Sequence, residues 1–159
     1  MSGEADKSHL RLLLFGIFLQ SINMNNKTVI LLVEDDAFLS SLLQLKLQKE
    51  QFKVIHAKDG DEAIDLLTRQ GLKPDLMLLD LILPKKNGFE VLETIRQDPQ
   101  IEKLPVIIIS NLGQPSDIER GKSLGVIDYF VKARLSIDDL VDKVKTETEK
   151  KTTSPQINS

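Results

Sequence analysis

From Thr28 onward the chain alternates two kinds of apolar pattern. Short runs that are mostly apolar or β-branched occur at Thr28 to Val33, Lys53 to Ala57, Leu76 to Leu79, Val106 to Ile109 and Val126 to Val131. Runs of this length predict strands, and the absence of a polar alternation in most of them predicts burial on both faces. Between them, apolar residues recur at helical spacing. Phe38, Leu42, Leu45 and Leu47 form one such set, and Ala63, Ile64, Leu66 and Leu67 form another that stops at Gly71. A third covers Gly88 to Gln97 and closes at Asp98-Pro99; a fourth opens on Pro115 and runs through Ile118 and Leu124 to Gly125. In the last, Ser136 stands as N-cap with Asp139 at the third helical position, ahead of the stripe Ile137, Leu140, Val141 and Val144. Five strands strictly alternating with five helices, on short connections, predict an α/β doubly wound parallel sheet. Right-handed crossovers and one reversal of strand order then leave a crevice at the carboxyl ends of strands one, three and four.

The two ends depart from this pattern. Leu12 to Leu19 is an apolar run of roughly eight residues, well short of the ~20 a membrane span needs. It resembles the middle of a signal peptide, but no small-x-small cleavage site follows in Gln20-Ser21-Ile22-Asn23. Met24-Asn25-Asn26-Lys27 leads directly into the first strand, so residues 1–26 are expected to be an extension outside the domain, with an appended amphipathic segment or a targeting signal as alternatives. Residues 27–147 are expected to form the domain. Residues 148–159, lacking any apolar period, are expected to be a frayed helix end and flexible tail.

Composition narrows the chemistry. The chain has 159 residues, 41% hydrophobic and 28% charged, with a net charge of -3, which gives no overall basic field for nucleic acid or anionic lipid. Without cysteine there are no disulfides, thiolate nucleophiles or cysteine zinc sites. Two histidines, His9 and His56, are a poor basis for a histidine metal site or triad.

What remains is a set of polar residues at strand ends. Asp80 closes the apolar run Leu76-Met77-Leu78-Leu79 and precedes a loop marked by Pro84 and Asn87-Gly88. Glu34 and Asp35 follow the first strand, Ser110 the fourth and Lys132 the fifth. Each alone has an ordinary explanation: a loop carboxylate, an acidic helix start, a strand-end hydroxyl, a solvated ammonium. Tyr129 alone is a strand aromatic. Five polar groups at the carboxyl ends of four strands are harder to explain that way. Clustered carboxylates repel one another, and a hard cation relieves the repulsion. Mg²⁺ fits, since it takes one or two carboxylates, keeps waters and accepts phosphate oxygens, with the backbone carbonyl of Ile82 as a further candidate ligand. A hydroxyl and an ammonium beside that cation make a stabilising shell for a phosphoryl group, and Asp80 becomes a nucleophile able to carry it.

At this point the chain resembles the receiver domain of two-component response regulators, over roughly Lys27 to Thr146. The resemblance rests on Ile30-Leu31-Leu32-Val33-Glu34-Asp35-Asp36, Leu78-Leu79-Asp80-Leu81-Ile82-Leu83-Pro84 with Asn87-Gly88, Ile107-Ile108-Ile109-Ser110, and Asp128-Tyr129-Phe130-Val131-Lys132. It implies a flavodoxin-like (βα)5 fold with strand order 2-1-3-4-5. It also implies phosphoryl transfer to Asp80 from a histidine kinase or phosphotransfer protein, with Mg²⁺ held by Glu34, Asp35 and Asp80. Ser110 and Lys132 would bind the phosphoryl oxygens, Ser110 and Tyr129 would move as the switch, and the face of the domain's fourth helix, fifth strand and fifth helix would meet a downstream protein. The expectation is a cytoplasmic, stand-alone, chemotaxis-regulator-like signalling protein rather than an enzyme, with no membrane span and no nucleic-acid partner. Two alternatives stand beside it: a degenerate receiver that binds partners without phosphorylation, and an aspartate-nucleophile phosphatase. The phosphatase chemistry calls for a second acid two residues after the nucleophile, where this chain has Ile82. Two departures from the family are Asn111 after Ser110, where a small residue is usual, and Ala133 after Lys132, where proline is usual. A cis bond before a non-proline residue costs about 2.5–4 kcal/mol, so a trans Lys132–Ala133 bond is expected.

Overall fold

The computed structural model describes residues 4–24 and 27–153. Its element order is α1 (Glu4–Met24), β1 (Val29–Val33), α2 (Ala37–Lys49), β2 (Lys53–Ala57), α3 (Gly60–Thr68), β3 (Leu76–Leu79), α4 (Gly88–Gln97), β4 (Val106–Ser110), α5 (Pro115–Ser123), β5 (Asp128–Val131), a 3-10 turn (Lys132–Arg134) and α6 (Ile137–Thr153). The strands form one parallel sheet in the order β2-β1-β3-β4-β5, the doubly wound topology that the alternation predicts.

The pleat explains why the central strands are apolar throughout. Leu31, Val33, Met77, Leu79, Val106 and Ile108 face one side, where they pack with Ala63 and Leu67 of α3 and Val91, Leu92 and Ile95 of α4. Their neighbours Ile30, Leu32, Leu76, Leu78, Ile107 and Ile109 face the other side, against Leu43 and Leu47 of α2 and Leu140, Val141 and Val144 of α6. With helices on both faces every position of these strands but Val29 is buried, so period-two alternation is lost.

Two expectations change. The fifth strand begins at Asp128 rather than Val126, because Gly125 ends the preceding helix in a left-handed conformation (φ 70) and the next two residues are spent leaving that turn. The last helix does not fray at Glu147 but continues to Thr153. There Thr148 is buried, Lys145 pairs with Glu50, and Lys151 pairs with Asp75, so tertiary contacts hold a segment that lacks an apolar stripe. Residues 148–153 are therefore helix rather than tail, and the rest of the expected tail lies outside the described residues. At the other end the extension forms α1. Its large side chains Leu10, Leu12, Leu13, Leu14, Phe15, Ile17 and Phe18 are each at least 54% exposed. Leu12, Leu13, Leu14 and Phe15 are consecutive, so they cover the whole helix circumference and the segment is not amphipathic. No helix among the described residues is long and apolar enough to cross a membrane.

Candidate functional site

Strand register brings the polar residues together. Val33 of β1 lies beside Leu79 of β3, so the next residues, Glu34 and Asp80, leave the sheet side by side. Their backbones continue the ladder: Glu34 N–H donates to Ala57 O and Asp80 N–H to Val33 O, both at 3.0 Å. Ser110 ends β4 opposite Val131, one residue before Lys132. The lysine starts further along the sheet than Asp80, and its long side chain reaches back to it. The Lys132–Ala133 peptide is trans, as the missing proline suggests, and the ammonium still arrives.

At the centre the Lys132 Nζ lies 2.6 Å from Asp80 Oδ2 and 3.0 Å from Glu34 Oε1. Asp80 Oδ1 accepts from the Ile82 N–H at 3.1 Å. Glu34 Oε1 also accepts from the Asp36 N–H at 3.0 Å, whereas its buried Oε2 has no hydrogen-bond donor; Lys132 Nζ is 2.9 Å away without being aligned to donate to it. Burial raises the Glu34 pKa above the ordinary carboxylate range, and the Asp80 charge adds to the effect against the opposing Lys132 and Asp36 hydrogen bonds. For Lys132, burial works against the ammonium, but its hydrogen bonds to Asp80 and Glu34 outweigh this and raise its pKa. It is a committed cation.

Carboxylate oxygens of Glu34, Asp35 and Asp80 all lie within 4.8 Å of one another, with Asp35 exposed and the other two buried. One ammonium against three carboxylates leaves an excess of negative charge, and Glu34 Oε2 is an orphaned buried acceptor. Both features fit a hard divalent cation. The two readings of Glu34-Asp35-Asp36 also divide by residue: Asp36 is the N-cap of α2, accepting from Leu39 N–H at 2.7 Å, while Glu34 and Asp35 join the cluster.

The remaining site residues stand nearby. Ser110 is fully buried, and its Oγ accepts from the Leu112 N–H at 3.3 Å. Tyr129, half-buried in β5, turns its hydroxyl onto Leu112 O in a short hydrogen bond. The tyrosine is therefore tied to the loop that follows Ser110. Burial pushes its phenol up to about 12, with the charges of Asp117 and Asp80 contributing. Gly88 marks how tightly the loop after Asp80 folds back, since a Cβ there would meet Asp80 O at 2.3 Å. His56 serves structure, its Nε2 sitting 2.8 Å from Glu34 O.

Sequence reasoning missed one group of residues. Asp59 and Lys85 form an ion pair at 3.0 Å between the loops after β2 and β3. The Asp59-Gly60-Asp61-Glu62 string signals a helix N-cap, but nothing in the sequence signals the link to Lys85.

The family model described as "Response regulator receiver domain" matches residues 30–145. The chain belongs to the response regulator receiver family. Among curated relatives, the transcriptional regulatory protein CpxR of Escherichia coli is 46% identical over 103 residues, which are 65% of this chain and 42% of CpxR. The chain thus spans less than half the length of that relative. Response regulator Rcp1 of Synechocystis sp. is 38% identical over 128 residues, 76% of this chain and 86% of Rcp1. Among solved structures, the Mn(2+)-bound form of Rcp1 superposes with a TM-score of 0.66 at 33% identity, covering 83% of this chain and 99% of that one. The receiver domain of the Francisella response regulator 1452 gives a TM-score of 0.71 at 26% identity, covering 79% and 99%.

Proposed function

We propose that this receiver domain takes a phosphoryl group on Asp80 from a histidine kinase or phosphotransfer protein and thereby changes which protein it binds. The observation that carries the reading is the Lys132 ammonium held between Asp80 and Glu34 at the end of the sheet. A carboxylate oxygen of Asp80 attacks phosphorus, and the bond from phosphorus to the donor nitrogen breaks, leaving an acyl phosphate and a free imidazole. Lys132 and the Ser110 hydroxyl donate to the new phosphoryl oxygens, so charge that develops in transfer meets donors already in place. Glu34, Asp35 and Asp80 would hold Mg²⁺, with the Ile82 carbonyl as a further ligand, and the bound ion supplies charge neutralisation for the phosphoryl oxygens. Drawing Ser110 towards the phosphoryl group moves the Leu112 carbonyl, and with it Tyr129, on the face formed by α5, β5 and α6. That face is the one we assign to the downstream protein, in a cytoplasmic signalling pathway. The domain is taken as residues 27–147, with α6 running on beyond it, and as a stand-alone switch rather than an enzyme.

Incubation with a small acyl phosphate and Mg²⁺, read by intact mass, tests the assignment. One phosphoryl adduct is expected, absent in Asp80→Asn and absent with a chelator. An adduct that persists in Asp80→Asn would place the acceptor elsewhere. An unlabelled parent would favour the unphosphorylated binding module.

A further inference from the structure

The loop between β3 and α4 carries Ile82, whose N–H orients the Asp80 carboxylate, yet the loop is not in a conformation its own sequence favours. Lys85 sits in the left-handed region at φ 65, which a residue with a Cβ adopts only when something outside the backbone holds it there. The holding group is across the crevice edge. Asp59 Oδ2 accepts the Lys85 ammonium at 3.0 Å, while Asp59 Oδ1 accepts from the Glu62 N–H at 2.8 Å as the N-cap of α3. The Asp59 side chain is 8% exposed, so the lysine comes to an anchored carboxylate rather than to a mobile surface acid. Hydrogen bonds from the Glu62 backbone and from Lys85 hold the Asp59 carboxyl below its ordinary range.

The next residue continues the contact. A Cβ on Gly60 would lie 2.0 Å from the Lys86 carbonyl oxygen, so the start of α3 and the backbone of this loop are in direct apposition and only glycine fits between them. On the far side of the loop, Gly88 N–H donates to Leu81 O at 3.0 Å and Asn87 forms a capping box with Glu90. The segment from Asp80 to Gly88 is therefore pinned at three points: Ile82 on Asp80, Lys85 and Lys86 on the start of α3, and Asn87-Gly88 on α4.

We propose that the Asp59–Lys85 pair is a latch that positions the loop after β3, so that Asp59 and Lys85 are positioning residues for the Asp80 carboxylate and for the Ile82 carbonyl on the metal side. Neither touches the reacting atoms. They act through the Ile82 backbone, whose N–H is on Asp80 Oδ1 and whose carbonyl is the further ligand assigned to Mg²⁺. The metal half of the proposal rests on the function proposed above; the positioning of the Ile82 N–H does not.

The test separates the two. Lys85→Met removes the charge and keeps the stem, and Asp59→Asn removes the charge while keeping a good N-cap. In metal-free protein, hydrogen exchange of the Ile82 amide is expected to speed up by about tenfold in either variant. Mg²⁺, titrated alone and followed by amide chemical shifts, is expected to bind about tenfold more weakly, the usual scale for loss of a group behind a metal ligand. The double variant should lose no more than either single one, because one contact is broken in each. Lys85→Arg should restore exchange and affinity, which a purely steric or stability role for the side chain would not require. Unchanged Ile82 exchange in Lys85→Met and Asp59→Asn would overturn the latch, as would additive losses in the double variant. A parent that binds no Mg²⁺ would instead refute the function assigned to the acid cluster, with the Ile82 exchange still reporting on the latch.

Discussion

At the scale of single residues, the site works by setting one cation among several anions. Lys132 is partly buried and doubly paired, so removing it leaves two buried carboxylates facing each other. Tyr129 gives this scale its cleanest measurement, because it is the only tyrosine and there is no tryptophan. Its phenol is pushed up to about 12, chiefly by burial. Spectrophotometric titration of the folded protein should show no phenolate near pH 10, the ordinary midpoint, and an inflection about two units higher. The sign for stability follows. A folded-state pKa above the unfolded value means the contribution is fully present below pH 10 and is lost as pH rises towards 12. An inflection near 10 would show that the hydroxyl is not held on Leu112 O in solution.

At the scale of elements, the sheet positions the site and the helix ends hold the sheet. Arg96, near the end of α4, is the clearest case. Its guanidinium donates to four backbone carbonyls, those of Leu124, Glu102, Leu104 and Gly125, and so joins α4 to the turns entering β4 and β5. Burial lowers its pKa, and carbonyl dipoles rather than a carboxylate compensate the charge. Arg96→Met keeps the aliphatic stem but leaves part-buried carbonyls without a donor, and should cost about 2 kcal/mol in denaturant unfolding. Since the contacts lie at the amino-terminal ends of these strands, away from Asp80, Mg²⁺ affinity of the folded variant should be unchanged. A neutral effect on stability would mean that water replaces the guanidinium at little cost.

At the scale of the whole molecule, the receiver is expected to be stable without α1. The domain buries its apolar residues in two layers, one on each face of the sheet, while α1 exposes more than half of each large apolar side chain from Leu10 to Phe18 that it carries. Core burial is worth roughly 1.5–3 kcal/mol per large side chain, and the described side chains of α1 contribute none of it. A chain beginning at Met24 should therefore melt within about 2 °C of the parent, since 1 kcal/mol shifts a protein of this size by about that much or more. It should also accept phosphoryl groups at the same rate. A loss of many degrees would show that α1 packs on the domain in solution.

The sequence by itself determined the alternation of strands and helices, and with it the doubly wound sheet, because each element's period follows from which faces are buried. It also determined the candidate site residues Glu34, Asp35, Asp80, Ser110 and Lys132, since in a parallel sheet the end of every strand points into the same crevice. The span from Gly88 to Gln97 and the strand from Lys53 to Ala57 were legible to the residue, being bounded by cap and turn chemistry that acts locally. What only the tertiary structure decided depends on groups distant in the chain. Residues 148–153 stay helical because Asp75 holds Lys151 and Thr148 is covered, information no apolar period contains. The latch of Asp59 on Lys85 and the clamp of Arg96 on four carbonyls join segments whose separation along the chain leaves no pattern. The orphaned oxygen of Glu34 is likewise a matter of alignment: the sequence places a lysine near it, and only the packed geometry leaves that one acceptor open.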